Sequence, residues 1–436
     1  LMQAVTTPIF GKLADLFGRK PVFLAGVALF LLGSMLCGIA TSMEMLIVFR
    51  LFQGVGAGSV MPISSTLASD LYALEERGRV QGYLSSVWGI SSVVGPLAGG
   101  LIIQNADWHW IFWLNVPFGV VAMLLIALFL HEDVQREARD IDFAGAALLL
   151  VGLSALMLAL TQGESWGLGI AGMLVALSAA VLFLFLRQQR RAPDPMMRLD
   201  LWSNPIIRVG NLAILIAGIA MIGLITFLPT FVQGVLGRSA LVAGFTLSAM
   251  SLGWPLASMV AGHLFVRIGV RTIVRMGGVF AAAGSLAVAL FAEHGPIAAG
   301  CGSFLLGVGL GLLSTTIIVA IQSSVSWGQR GVATASNMLM RNLGNAVGAA
   351  LLGGLLNFRL GSYIEEHGAV GQISLDSVRD LVGGIPHDDL GAGALDLLRD
   401  GLAQGLGLVF WMIFALAVAT LLVSWRIPNL HPAENL

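Results

Sequence analysis

The sequence predicts an all-helical integral membrane protein made of two related six-helix bundles joined by an inserted helix pair. Three observations carry this reading. Hydrophobic residues make up 57% of the 436 residues and charged ones 11%, against roughly 45–50% and about 25% in soluble domains. Apolar runs near the roughly 20 residues needed to cross a bilayer recur along the whole length. A set of glycine and arginine motifs also appears twice at a nearly constant displacement. The net charge of −1 supplies no excess of cations for nucleic-acid phosphates. Cys37 and Cys301 each sit inside an apolar run and imply neither a disulfide framework nor a metal site.

Thirteen apolar cores follow in order, near residues 1–10, 21–41, 45–67, 81–103, 110–130, 143–161, 168–187, 209–232, 241–262, 272–292, 297–320, 332–357 and 403–425. The first is short and the chain opens inside it without a methionine, so a preceding helix is expected upstream of Leu1. Charged punctuation separates the cores, and its cations fall in alternate loops. Lys12, Arg19 and Lys20 share one side with Arg77 and Arg79, with Arg136 and Arg139, and with Arg187, Arg190, Arg191 and Arg198. Arg267, Arg271, Arg275, Arg330 and Arg426 continue the set, while the opposite loops hold little before residue 358 beyond Arg238. Positive loops stay cytoplasmic, which predicts a multi-pass protein of the inner (plasma) membrane. The stretch 358–402 falls outside, with eight acids against three arginines. Trp108, His109 and Trp110 fit an aromatic belt at the outer interface.

The repeat fixes the plan. Gly54-Val55-Gly56-x-Gly58 returns as Gly307-Val308-Gly309-x-Gly311, and Arg77-Gly78 as Arg330-Gly331, both 253 positions on. Gly11 and Gly18 return as Gly262 and Gly269, 251 positions on. Same-direction repeats of this length are the plan of transporters that bind substrate between two halves. The expected divisions are an N-terminal bundle at 1–130 without its first helix, a linker with two inserted helices at 131–208, and a C-terminal bundle at 209–436. Fourteen spans are expected in all, about thirteen of them in this sequence.

Gly11-x-x-x-Asp15-x-x-Gly18-Arg19-Lys20, Arg50-x-x-Gln53-Gly54-x-Gly56 and Gly89-x5-Gly95-Pro96-x-x-Gly99-Gly100 resemble the loop, second and antiporter motifs of the major facilitator superfamily. Trp108-x-Trp110-Ile111-Phe112-x-x-Asn115-x-Pro117-x-Gly119 and the extra helix pair resemble its fourteen-helix EmrB/QacA-type drug:proton antiporters. The resemblance implies proton-coupled efflux, and an Arg50 that acts in proton transfer with a first-helix carboxylate. It also implies an Asp15 that caps a helix of the opposite bundle, and an antiporter-motif helix that lies between the halves. A periplasmic adaptor is compatible with it.

The residues themselves give the chemistry. Asp15 and Arg19 pair on one face if the helix runs through the strip, and Asp70 has the sign to hold Arg19 from the other side. Such a latch favours the state closed to the cytoplasm, and protonating Asp15 or Asp70 is expected to weaken it. Gly89, Gly95, Gly99 and Gly100 allow close helix approach, and Pro96 bends their segment. No acid stands at the centre of an apolar run, so the coupling carboxylate is expected upstream of Leu1. Cavity candidates are Trp88, Asn211, Thr226, Gln233, Trp254, Asn337, Arg341, Asn342 and Asn345. Arg341, about nine residues inside its span, needs a carboxylate, water or anionic ligand. No Walker lysine, His-Glu-x-x-His or Cys–His metal spacing is present, so neither an enzyme nor a cofactor is expected. The sequence reads as an exporter of amphipathic or cationic drug-like compounds. An exporter of one defined metabolite, amino acid or siderophore, and a non-transporting scaffold or sensor, are the alternatives.

Overall fold

The computed structural model describes residues 2–132, 142–193, 195, 199–366 and 392–428. All regular structure among them is helical. The first half contains α1 (Met2–Phe17), α2 (Arg19–Cys37), α3 (Met43–Leu71) and α4 (Leu74–Asn105). A single turn, α5 (Trp110–Trp113), leads into α6 (Asn115–Phe129). The inserted pair is α7 (Phe143–Trp166) and α8 (Leu168–Gln189). The second half holds α9 (Pro205–Thr230), α10 (Ala240–Phe291), α11 (Pro296–Ser323), α12 (Arg330–Glu366) and α13 (Ala392–Ser424). Eleven helices among the described residues are long and apolar enough to cross a membrane, α5 with α6 counting as one and α10 as two. The other two expected spans are α1, of 16 residues, and α4, of 32, which opens on the charged residues Glu75 to Arg79.

Local chemistry sets the boundaries. Ser42, Asn204 and Ser239 accept backbone N–H groups at the starts of α3, α9 and α10, as N-cap residues do. Asp142 caps α7 through Gly145 N at 2.8 Å and also receives Gln188 and Gln189, tying α7 to α8. Two glycines turn the charged loops: Gly18 has φ 94° and Gly269 φ 77°. That left-handed backbone suits a residue without Cβ, and the two positions correspond in the repeat. At Gly269, α10 therefore bends into two spans.

Two bounds differ from expectation. α9 begins at Pro205 rather than 209, because Asn204 and Pro205 form a cap and first turn. The outer stretch 358–402 is narrower, since α12 runs to Glu366 and α13 starts at Ala392. Residues 367–391, Arg136, Arg139 and Arg198 lie outside the described residues.

Each half has its own core. In the first, Val22, Val27 and Leu31 of α2 meet Ile63 and Leu67 of α3; in the second, residues of α9 to α13 form one larger cluster. α7 and α8 pack outside this pair, Leu149, Leu153 and Phe185 meeting Val5 of α1 and Leu339 of α12. Phe118, Leu128 and Phe129 of α6 stay exposed, as lipid-facing residues do.

The halves touch through α1 with α12 and α4 with α10, where glycines bring backbones together. A Cβ at Gly11 would lie 2.8 Å from Gly331 O, and one at Gly78 2.1 Å from Gly262 Cα. These contacts are equivalent in the repeat. Further along α4, Gly82 meets Met259, and Gly89 meets Ser251 O and Pro255. Gly95 and Gly99 face open space, with nothing within 4 Å of a Cβ. The expected close approach thus holds at Gly89 but not at Gly95 or Gly99, which lie roughly 120° and 80° round the helix from Gly89 at about 100° per residue and so point away from α10. Pro96 and Gly100 lie within α4, their side chains outside the described set. The two halves are thus closed against each other at the end that carries the charged strip.

Candidate functional site

The site begins in the charged strip. Asp15 stands past the apolar part of α1, which ends at Phe10, and Arg19 opens α2. Gly18 breaks the helix between them, so their pair forms across a turn rather than along one helix face. Arg19 is fully buried. Its Nη2 lies 2.8 Å from Asp15 Oδ1, and its Nε donates to Asp70 Oδ2 at 3.0 Å. It also donates to the carbonyls of Ala14 and Trp327 at 3.0 and 2.9 Å, with its guanidinium 4.1 Å from the centre of the Trp327 ring. A buried guanidinium needs this many acceptors to offset its lost hydration.

Asp15 and Asp70 both reach across to the second half. Asp15 Oδ1 accepts Gly331 N at 2.9 Å and Oδ2 accepts Val332 N at 2.8 Å. The carboxylate therefore caps the start of α12, where free N–H groups and the helix dipole favour negative charge by up to ~2 kcal/mol when partly buried. Asp70 Oδ1 accepts Arg330 Nη1 at 2.9 Å. The repeat-related contact runs the other way, Arg77 Nη1 donating to Ser323 Oγ at 3.5 Å. Across the halves, one arm of the pseudo-symmetric clasp joins an arginine to a carboxylate and the other an arginine to a hydroxyl.

Burial pushes the Asp15 carboxyl up to about 6 from the ordinary 3.8, although Arg19 and the N–H groups of Val332 and Gly331 pull it down. The linkage sign follows: a group that binds its proton more tightly when latched makes the latch more stable as pH falls through 6 towards 3.8. The expected weakening on protonation is therefore reversed for Asp15, because desolvating its charge outweighs what the charge gains from partners.

Residues outside the motifs complete the clasp. Glu132 accepts Arg19 N and Lys20 N, both at 2.8 Å, and so caps α2. Its only sequence signal is that α2 starts after a glycine with no side-chain cap of its own. Lys20 Nζ donates to the carbonyls of Ala127 and Leu130 at the end of α6. Deeper, Gln81 and Gln322 both donate to Ser65 Oγ, at 2.7 and 3.2 Å, and Gln322 also donates to Thr334. This buried network joins α3, α4, α11 and α12 across the halves.

Beyond it lies a cavity of about 70 Å³ lined by Ser85, Trp254, Thr315, Asn337 and Arg341, among others. Asn337 donates to Asn211 at 3.0 Å and Asn211 to Ser336, so these amides tie α9 to α12. Trp88 and Trp254 face each other across the halves with centroids 6.1 Å apart. Gln233 does not join them: it sits in a π-turn at the outer end of α9 and donates to Pro229 O. Asn345 packs near Gly218 of α9, away from the cavity lining. Arg50 is exposed, bonds Gln53 at 2.8 Å on its own helix and lies over Phe112. It borders a second cavity, near Met2, Gln3 and Gly54.

Residues 1–349 match the Major Facilitator Superfamily. The chain belongs to that superfamily. It is 33% identical over 373 residues to the multidrug transporter protein MdtP of Bacillus subtilis (strain 168), covering 84% of this chain and 68% of that protein. It is 32% identical over 351 residues to multidrug resistance protein 3 of the same strain, covering 79% and 68%. With multidrug resistance protein Stp of Mycobacterium tuberculosis (strain CDC 1551 / Oshkosh) it shares 31% over 373 residues, covering 84% and 69%. Among solved structures, the human organic anion transporter MFSD10 (TETRAN) aligns with TM-score 0.63 at 17% identity, covering 95% of this chain and 81% of that one. The proton:xylose symporter XylE aligns with 0.61 at 13%, covering 98% and 85%. These structures share the superfamily fold. The chain is a membrane transporter rather than an enzyme.

Proposed function

We propose that this transporter is a proton-coupled exporter of amphipathic drug-like compounds, in the fourteen-helix drug:proton antiporter branch of the superfamily and the inner membrane. The observation that carries the reading is the Asp15 carboxyl on the first turn of α12, in the other half of the molecule. Its proton affinity is raised by burial in this closed arrangement. Opening the cytoplasmic side hydrates Asp15 and lowers its proton affinity, so the fraction of Asp15 protonated while latched gives up its proton to the cytoplasm, the direction antiport requires. The names of the bacterial relatives support multidrug efflux.

The test is reconstitution of the full chain in proteoliposomes loaded with an amphipathic dye. Dye should leave on the export side only under an imposed proton gradient, and the gradient should collapse faster when dye is present. Dye movement that ignores the gradient overturns the antiport reading.

A further inference from the structure

We propose that Arg341 binds the anionic head group, a carboxylate or sulfonate, of an amphipathic substrate in the cavity between the halves. This names the substrate class of the efflux reading and rests on it.

Arg341 lies eleven residues past Arg330, about 16 Å along α12 at 1.5 Å per residue, near mid-membrane. Nearby amide N–H groups are engaged elsewhere, Asn337 on Asn211 and Gln81 and Gln322 on Ser65, and the neutral acceptors Gln322 Oε1 and Asn345 Oδ1 stay unpartnered without carrying a charge to match Arg341. Arg341 has no hydrogen bond or ion pair among the described residues. The acids on the helices that line the cavity stand at helix ends: Glu44 and Asp70 on α3, Glu75 and Glu76 on α4, and Glu365 and Glu366 on α12. A guanidinium cannot give up its charge, so it needs an anion or water there.

The cavity offers a complete head-group site. The guanidinium fork matches two oxygens of a carboxylate or sulfonate, and the hydroxyls of Ser314 and Thr315 stand in the same lining. Its volume of about 70 Å³ holds a head group and not a ring. The apolar body must then lie against Trp254 and Trp88, which pair across the halves. A permanent cation in the same place would meet a like charge with no described carboxylate to balance it. The cavity therefore selects the anionic side of the amphipathic range.

The test compares two probes of one shape and opposite charge, 2-naphthalenesulfonate and 2-naphthyltrimethylammonium, titrated calorimetrically into the full chain in lipid nanodiscs at pH 7.5. The sulfonate should bind at least tenfold more tightly. Arg341→Gln should reduce that preference to less than twofold, and Arg341→Lys should keep most of it. Equal binding of the two probes by the unmodified protein, absence of sulfonate binding, or a preference that survives Arg341→Gln overturns the proposal. Efflux is scored separately: a sulfonate preference without gradient-driven efflux overturns the transport reading alone, and efflux without charge preference overturns the anion site alone.

Discussion

Replacing Gly78 with alanine should open the cytoplasmic side. The added Cβ would lie 2.1 Å from Gly262 Cα and 3.1 Å from Gly262 N, where ordinary contact begins near 3.4 Å. Backbone atoms cannot swing aside as a long side chain can, so α4 and α10 must part by more than about 1 Å. Overpacking of this kind costs roughly 1–3 kcal/mol, which moves a two-state equilibrium about 5- to 150-fold. The cost falls on the closed arrangement alone, because only there do the two glycines meet. The assay is a distribution of distances between spin labels on the cytoplasmic ends of α4 and α10, measured by pulsed electron resonance in nanodiscs. Gly78→Ala should move population to the longer distance. Gly95→Ala, on the same helix but facing open space, should leave the closed population in place. An unchanged distribution in Gly78→Ala, or an equal shift from Gly95→Ala, would refute the assignment of closure to the backbone contact.

Asp15 makes the same equilibrium depend on pH. The closed population of the unmodified protein should grow as pH falls from 7 towards 4, since Asp15 holds its proton up to about 6 when latched; Asp15→Asn should flatten that profile in the same spin-label measurement. Removing the carboxylate from Asp70 leaves buried Arg19 and the partly buried Arg330 without their shared acceptor. Asp70→Ala removes the Arg330 ion pair that crosses the halves and should destabilise the closed state by roughly 1.5–3 kcal/mol, the range for a hydrogen bond to a charged group, seen as loss of the short spin-label distance. Glu132→Ala uncaps α2 and should lower the melting temperature by the equivalent of about 1 kcal/mol, with little change in the ratio of open to closed states because Glu132 bonds only within the first half.

The helical plan was legible because a membrane enforces it: spanning segments must be long, apolar and satisfied within themselves, so hydropathy and charge report them directly. The repeat was equally readable, but that its glycines meet across the halves is visible only in the structure. Gly11 with Gly331 and Gly78 with Gly262 are the same contact seen twice. The sequence also placed Asp70 beside Arg19, from sign and depth alone. It missed Glu132, Trp327, Gln81 and Gln322, since their roles depend on backbone groups and on neighbours far along the chain, which no local pattern records. It overreached at Gly95 and Gly99, where spacing speaks for possible packing and one conformation uses only part of it. The sign of the Asp15 response was hidden too, because burial is a property of the assembled halves.

α4 meets its partner at Gly78, Gly82 and Gly89, on one face of the helix. From Gly78 to Gly99 the helix measures about 30 Å at 1.5 Å per residue. Such a rod is a lever with its fulcrum near one end: a tilt of roughly ten degrees about the glycine contact sweeps the far end through about 5 Å. Adjustments of the size a proton or one side chain can drive at the clasp are thus magnified into an aperture wide enough for a flat aromatic molecule on the opposite face.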